Sequence, residues 1–143
     1  MKTRISLCIF FLFCMSSFVS AGEYSGGVQA QIVLKTKNTS NGHHVAYLKT
    51  DSAEVTVMTV ELPPGAETGW HIHPVPVYAY VLSGTLTIEM EGKKASIFQV
   101  GDAIIEGINT RHCGINSGDV PVKLVVFYTG AQDLPNVIRT PAP

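Results

Sequence analysis

Short segments rich in Val, Ile, Thr and Tyr, cut apart by Gly, Pro and Asn turns every few residues, run through this chain from Gln29 to Thr129. No stretch repeats its apolar residues at the three-to-four-residue spacing of a helix, so the chain has to build its core from strands. Glu54 to Leu62 alternates with a period of two, which puts Val55, Val57, Thr59 and Glu61 on one face, and it stops at Pro63-Pro64-Gly65. Val77 to Leu82 and Thr85 to Met90 flank Ser83-Gly84, a tight hairpin signal. After the turn Glu91 to Lys94 come the strand candidates Ala95 to Val100, Ala103 to Glu106, Arg111 to Asn116 and Val120 to Thr129. Two earlier candidates, Gln29 to Thr36 and Val45 to Thr50, flank the polar turn Asn38 to Gly42. Strands this short and regular predict an all-β antiparallel sandwich or barrel. The stretch from Gly130 to Pro143 contains three prolines and reads as a tail extended over the surface.

The first residues stand apart from this pattern. Lys2 and Arg4 precede an apolar run from Ile5 to Met15, and the exit Ser17-Phe18-Val19-Ser20-Ala21 brings small residues to positions 19 and 21. The run is short for a bilayer, which needs about 20 apolar residues. A basic start, a short apolar segment and a small-residue exit predict a secretory signal peptide over residues 1–21, with an uncleaved anchor as the competing reading. The expectation is a periplasmic or secreted protein with one domain over residues 22–143. Of Cys8, Cys14 and Cys113 only the last survives such processing, so the exported form has no internal disulfide and relies on packing or a metal. The formal charge of −1 becomes −3 when Lys2 and Arg4 leave with the leader. That mild value, with no block of like charge, points to neither nucleic acid nor an anionic membrane as a partner.

His71-Ile72-His73 follows a proline-glycine turn and precedes a strand. Residues two apart on a strand face the same way, so both imidazoles can point into a barrel. Imidazole is the commonest neutral ligand for divalent transition metals. His112, about forty residues later, follows its own turn and opens another strand. Three of the five histidines thus occupy positions that can converge.

Two stretches resemble the paired motifs of the cupin superfamily. That family's first motif is Gly, five residues, His-x-His, three or four residues, Glu, six residues, Gly; here Gly65, His71, His73 and Gly84 stand in that pattern. The second is Gly, five residues, Pro-x-Gly, two residues, His, three residues, Asn; here Gly101, His112 and Asn116 do so. The resemblance covers residues 65–84 and 101–116 and implies a single-domain antiparallel double-stranded β-helix, the jelly-roll or cupin barrel. It also implies one divalent transition metal (Fe, Mn, Ni or Zn) on His71, His73 and His112, and a homodimer formed through edge strands.

Two departures stand out. Val77 occupies the position of the family's Glu ligand and cannot coordinate, and Gly107-Ile108-Asn109 replaces Pro-x-Gly, a change Gly and Asn allow because both tolerate positive φ. A carboxylate from elsewhere has two candidates, Glu67 and Glu106. Glu106 reads either as a fourth ligand or acid–base group beside the metal, or as a rim residue facing solvent or pairing with Arg111. Cys113 should face away from His112 and behave as a small buried hydrophobe. Trp70, Tyr78 and Tyr80 read as packing residues, and His43 and His44 as turn residues without a role. Asn116 should brace a turn.

The functional expectation is an exported metal-binding cupin acting on a small organic molecule, dioxygenase-like at a three-histidine site. The alternative is a small-molecule binding or sensing module without turnover, with or without metal.

Overall fold

The computed structural model describes residues 26–143. The predicted leader, residues 1–21, lies outside the described residues. All strands among the described residues lie in the compact unit Val33–Pro143. These are β1 (Ala53–Leu62), β2 (His71–Ile72), β3 (Val77–Ser83), β4 (Thr85–Met90), β5 (Ser96–Gln99), β6 (Ala103–Glu106), β7 (His112–Ile115), β8 (Val122–Ala131) and β9 (Ile138–Arg139). Among the described residues there is no helix, and so none long and apolar enough to cross a membrane.

The strands form two antiparallel sheets, ordered β1-β8-β3-β6 and β5-β4-β7-β2-β9. Their apolar inner faces meet in one core. Val77, Val81, Ile104, Leu124 and Val126 from the first sheet pack against Leu86, Ile88 and Met90 from the second. This is the double-stranded β-helix expected from the sequence. The β3–β4 hairpin turns on Gly84 at φ 73°, where a Cβ would sit 2.8 Å from the Pro121 carbonyl oxygen. Only glycine tolerates both the conformation and the approach.

Two expectations need correction. The segments 29–36 and 45–50 form no strands; Gln31 makes a single bridge, and an isolated bridge from Asn38 to His44 closes the turn between the two segments. Alternating residues need a neighbouring ladder to become a strand, and here Val33 and Leu34 stay exposed. The tail is also more than a surface extension. Ile138 and Arg139 form β9, which pairs with Ile72 and His71 of β2. β8 itself runs on to Ala131, past the predicted end at Thr129.

Candidate metal centre

The three histidines reach one point by strand register. His71 and His112 lie directly opposite each other on β2 and β7, which sets both side chains on one face. His73 follows two residues after His71 and joins them. Ring centroids are 4.3 Å apart for His71 and His112, 4.8 Å for His71 and His73, and 5.0 Å for His73 and His112. One nitrogen from each ring lies within 4.8 Å of the others, close enough to hold a metal ion. All three residues are buried, at 8%, 3% and 4% exposure.

Backbone carbonyls fix how the rings present themselves. Nδ1 of His71 meets the Gly69 oxygen at 2.7 Å, Nδ1 of His73 the Asn136 oxygen at 2.7 Å, and Nδ1 of His112 the Thr110 oxygen at 2.8 Å. A carbonyl only accepts, so each Nδ1 must donate, and each neutral ring turns an Nε2 lone pair inward. Metal-bound histidines are held in this way, with the other ring N–H given to a carbonyl or carboxylate.

Glu106 stands beside two of the three rings. Its Oε2 lies 2.9 Å from His73 Nε2 and 3.5 Å from His112 Nε2. Neither contact is aligned as a hydrogen bond: Glu106 Oε2 and His112 Nε2 are buried and without partners. Lone-pair atoms at such distances repel unless a positive charge sits among them. At metal–ligand bonds of about 2.1 Å, two ligands on one ion lie roughly 3 to 3.4 Å apart, at the right angle or the tetrahedral angle respectively. The donor set therefore fits a divalent transition metal, three nitrogens with a carboxylate beside them.

Without a metal the same atoms must share a proton. Burial alone would raise the Glu106 carboxyl, but the imidazoles of His112 and His73 outweigh it and hold the carboxyl well below the usual carboxylate range. Burial pulls His112 down, and the Glu106 carboxylate more than reverses this, leaving the imidazole above its usual value. His71 is lowered, chiefly by burial.

This placement corrects one reading of Glu106 and favours the other. It neither faces solvent nor pairs with Arg111, which instead meets Glu91 at 3.3 Å. Glu67 is exposed beside its bridge to Ile115 and takes no part.

The histidines and Glu106 open on a cavity of about 60 Å³. That is room for only a few water-sized groups. Its walls are mostly apolar, with Leu62, Leu86, Ile88 and Leu124 among them, and they include no Lys or Arg. Tyr128 also lines the cavity, its ring 5.5 Å from that of His73. Burial, helped by the Glu106 charge, pushes the Tyr128 phenol up to about 12, so the hydroxyl stays protonated.

Two supports were not legible in the sequence. The tail supplies the Asn136 carbonyl to His73, and Thr140 N–H donates to the Trp70 oxygen at 2.9 Å beside β2. Buried Asn41 donates from Nδ2 to Thr110 Oγ1 at 2.6 Å, bracing the loop whose carbonyl orients His112. That loop turns at Asn109 with φ 53°, and its N–H donates to the His73 oxygen at 2.8 Å. The only signal for the tail was its polar break and return to Val137-Ile138.

Cys113 and Asn116 lie as the sequence suggested. Cys113 is buried outside the histidine group, near Thr68. His43 and His44 are exposed at the turn, and Trp70, Tyr78 and Tyr80 do not line the metal cavity. Asn116 Nδ2 donates to the Leu62 and Val120 oxygens, and its Oδ1 accepts from Gly118 N–H.

Comparison with known proteins agrees with this architecture. Residues 58–128 match the cupin domain. Among solved structures, the DMSP lyase DddQ from Ruegeria pomeroyi DSS-3 is 23% identical with a TM-score of 0.54, the match covering 64% of this chain and 44% of the lyase. An oxalate oxidase is 20% identical with a TM-score of 0.53, over 62% of this chain and 52% of that one. A cupin-like protein from Thermotoga maritima MSB8 is 24% identical with a TM-score of 0.53, over 62% and 65%. The chain thus spans about half the length of the first two. At these identities the likeness is one of fold. No curated protein sequence matches. By its matched domain, its two antiparallel sheets and its neighbours, the chain belongs to the cupin superfamily.

Proposed function

We propose that this is an exported, metal-dependent cupin in which His71, His73 and His112 hold one divalent transition metal, and that with iron it oxidises a small organic molecule using dioxygen. The observation that carries the reading is the trio of Nε2 atoms turned inward, each ring fixed by a carbonyl on Nδ1, at the floor of an apolar cavity. When bound, such a metal supplies Lewis acidity and, as Fe(II), electrons for dioxygen. The chain's own residues set the substrate's limits. Apolar walls without Lys or Arg favour a neutral or singly charged molecule over a polyanion. The Tyr128 hydroxyl, protonated at ordinary pH, is a donor on that wall. The oxalate oxidase and the DMSP lyase among the neighbours are likewise named for chemistry on small molecules. Export is supported by the basic start, short apolar run and small-residue exit of residues 1–21.

The test is anaerobic loading with Fe(II), followed by oxygen uptake against a panel of small carboxylic acids, alcohols and thioethers. Oxygen consumption with at least one compound, abolished in His112→Ala, is the expected result. Stoichiometric metal with no uptake, but thermal stabilisation by a panel member, would replace catalysis with ligand binding. An N-terminus at Gly22 in the mature protein would establish the leader.

A further inference from the structure

The family's first motif places a carboxylate on the strand after His-x-His, at the position Val77 holds here. On β3, Val77 is fully buried and faces the core. Its partner across the ladder on β6 is Glu106. Residues directly opposite on antiparallel strands share a face, with Cβ atoms about 5 Å apart. The carboxylate thus reaches the histidines from the neighbouring strand, on the same rung as the position that lost it.

We propose that Glu106 is the fourth protein ligand of the metal, transposed from β3 to β6, and that positions 77 and 106 are interchangeable sources of it. Three observations on this chain carry the assignment. Oε2 lies 2.9 Å from His73 Nε2 and 3.5 Å from His112 Nε2, the spacing of neighbouring ligands on one ion. That oxygen is buried and has no hydrogen-bond partner, and neither does His112 Nε2. No other acid competes: Glu67 is exposed, and Glu106 is the one carboxylate lining the cavity. Gly107 leaves room for the Asn41 side chain, which a Cβ there would strike, and Asn41 braces the loop that leads to His112. The consequence is electrical. A divalent ion on three imidazoles keeps its full double charge, whereas with Glu106 bound the centre carries a single positive charge, matching a monoanionic or neutral substrate.

The inference rests on the proposed metal site, and the experiment separates the two. Co(II) is titrated into the full chain, Glu106→Gln and the exchange variant Val77→Glu/Glu106→Val, following stoichiometry, affinity and the Co(II) absorption spectrum, with circular dichroism as the check on folding. The native chain should bind one Co(II). Glu106→Gln should bind it at least about tenfold more weakly, the scale at which even outer partners of a metal matter, and with an altered spectrum. The exchange variant should regain most of the affinity. A native chain that binds no Co(II) removes the metal site itself. Native binding with unchanged affinity or an unchanged spectrum in Glu106→Gln overturns Glu106 as a ligand. An exchange variant no tighter than Glu106→Gln overturns the equivalence of the two positions.

Discussion

Two adjacent rungs of the four-stranded sheet reverse the ordinary distribution of polarity. The inward rung runs Thr56, Tyr128, Val77, Glu106 across β1, β8, β3 and β6, and the next, outward rung runs Val57, Phe127, Tyr78, Ile105. One face of a barrel normally buries its apolar residues and shows its polar ones to water. Here the inner rung holds a carboxylate and a phenol, while Val57 and Phe127 on the outer rung are 52% and 42% exposed. The difference has two meanings. Outside, apolar side chains cost little where they stand singly, because much of any folded surface is apolar. Inside, an ionisable group without a partner is costly, so its retention marks a site. Asn116 gives the contrast within the interior: it is fully buried with its amide hydrogen-bonded on both sides, and it holds a turn, whereas Glu106 Oε2 and His112 Nε2 lack partners.

The comparison breaks first at the histidines. His73→Ala should leave the protein without bound metal, measured by elemental mass spectrometry, while far-ultraviolet circular dichroism stays that of a β protein. A full complement of metal in this variant would place the ion elsewhere. Next in size is the apolar part of the interior. Ile104→Ala should cost roughly 2 to 5 kcal/mol in urea unfolding, the range for a large core side chain cut to a methyl. A cost below about 1 kcal/mol would mean that the core is less tightly packed than its burial implies. Removing residues 133–143 should then lower metal affinity about 10- to 100-fold, because His73 loses the carbonyl on its Nδ1 while β1 to β8 remain. Equal affinity would show that the ring needs no such clasp. The smallest effect belongs to the outer rung. Phe127→Ser should change unfolding free energy by less than about 0.5 kcal/mol in dilute solution. A loss of 2 kcal/mol or more would show this face covered by a second copy, as the expected homodimer implies.

Much of this was legible because the informative residues sit at fixed spacings. Val-, Ile- and Thr-rich segments between turns gave seven of the strands nearly to the residue, since local alternation and turn chemistry decide them. His71, His73 and His112 were found through motif spacing, and their shared face follows from the two-residue period and the pairing of β2 with β7. Glu106 was visible as an odd acid at the end of Ala103-Ile104-Ile105, but its direction depends on which residue of β3 it faces. That register is set by the path of the 28 intervening residues through β4 and β5, which no local pattern reveals. The tail was misjudged because a two-residue strand has no periodicity, and three nearby prolines argue against one. The segments 29–36 and 45–50 failed in the opposite way: each has strand-like composition, and neither has a ladder to join.

The carbonyl clasp on His73 also sets an order of events. Asn136 follows His73 by 63 positions. At a synthesis rate of about 5 to 20 residues per second, a growing chain carries its His-x-His pair for several seconds before that carbonyl exists. During this interval the His73 ring lacks its clasp, and an ion meeting the pair would be held by imidazole affinity alone. Geometry can discriminate among metals only once β9 has docked along His71 and Ile72. For a metal held at the proposed centre, the compartment where folding is completed would therefore help to decide which ion is bound, and a change in where the chain folds would change that ion without altering a single ligand.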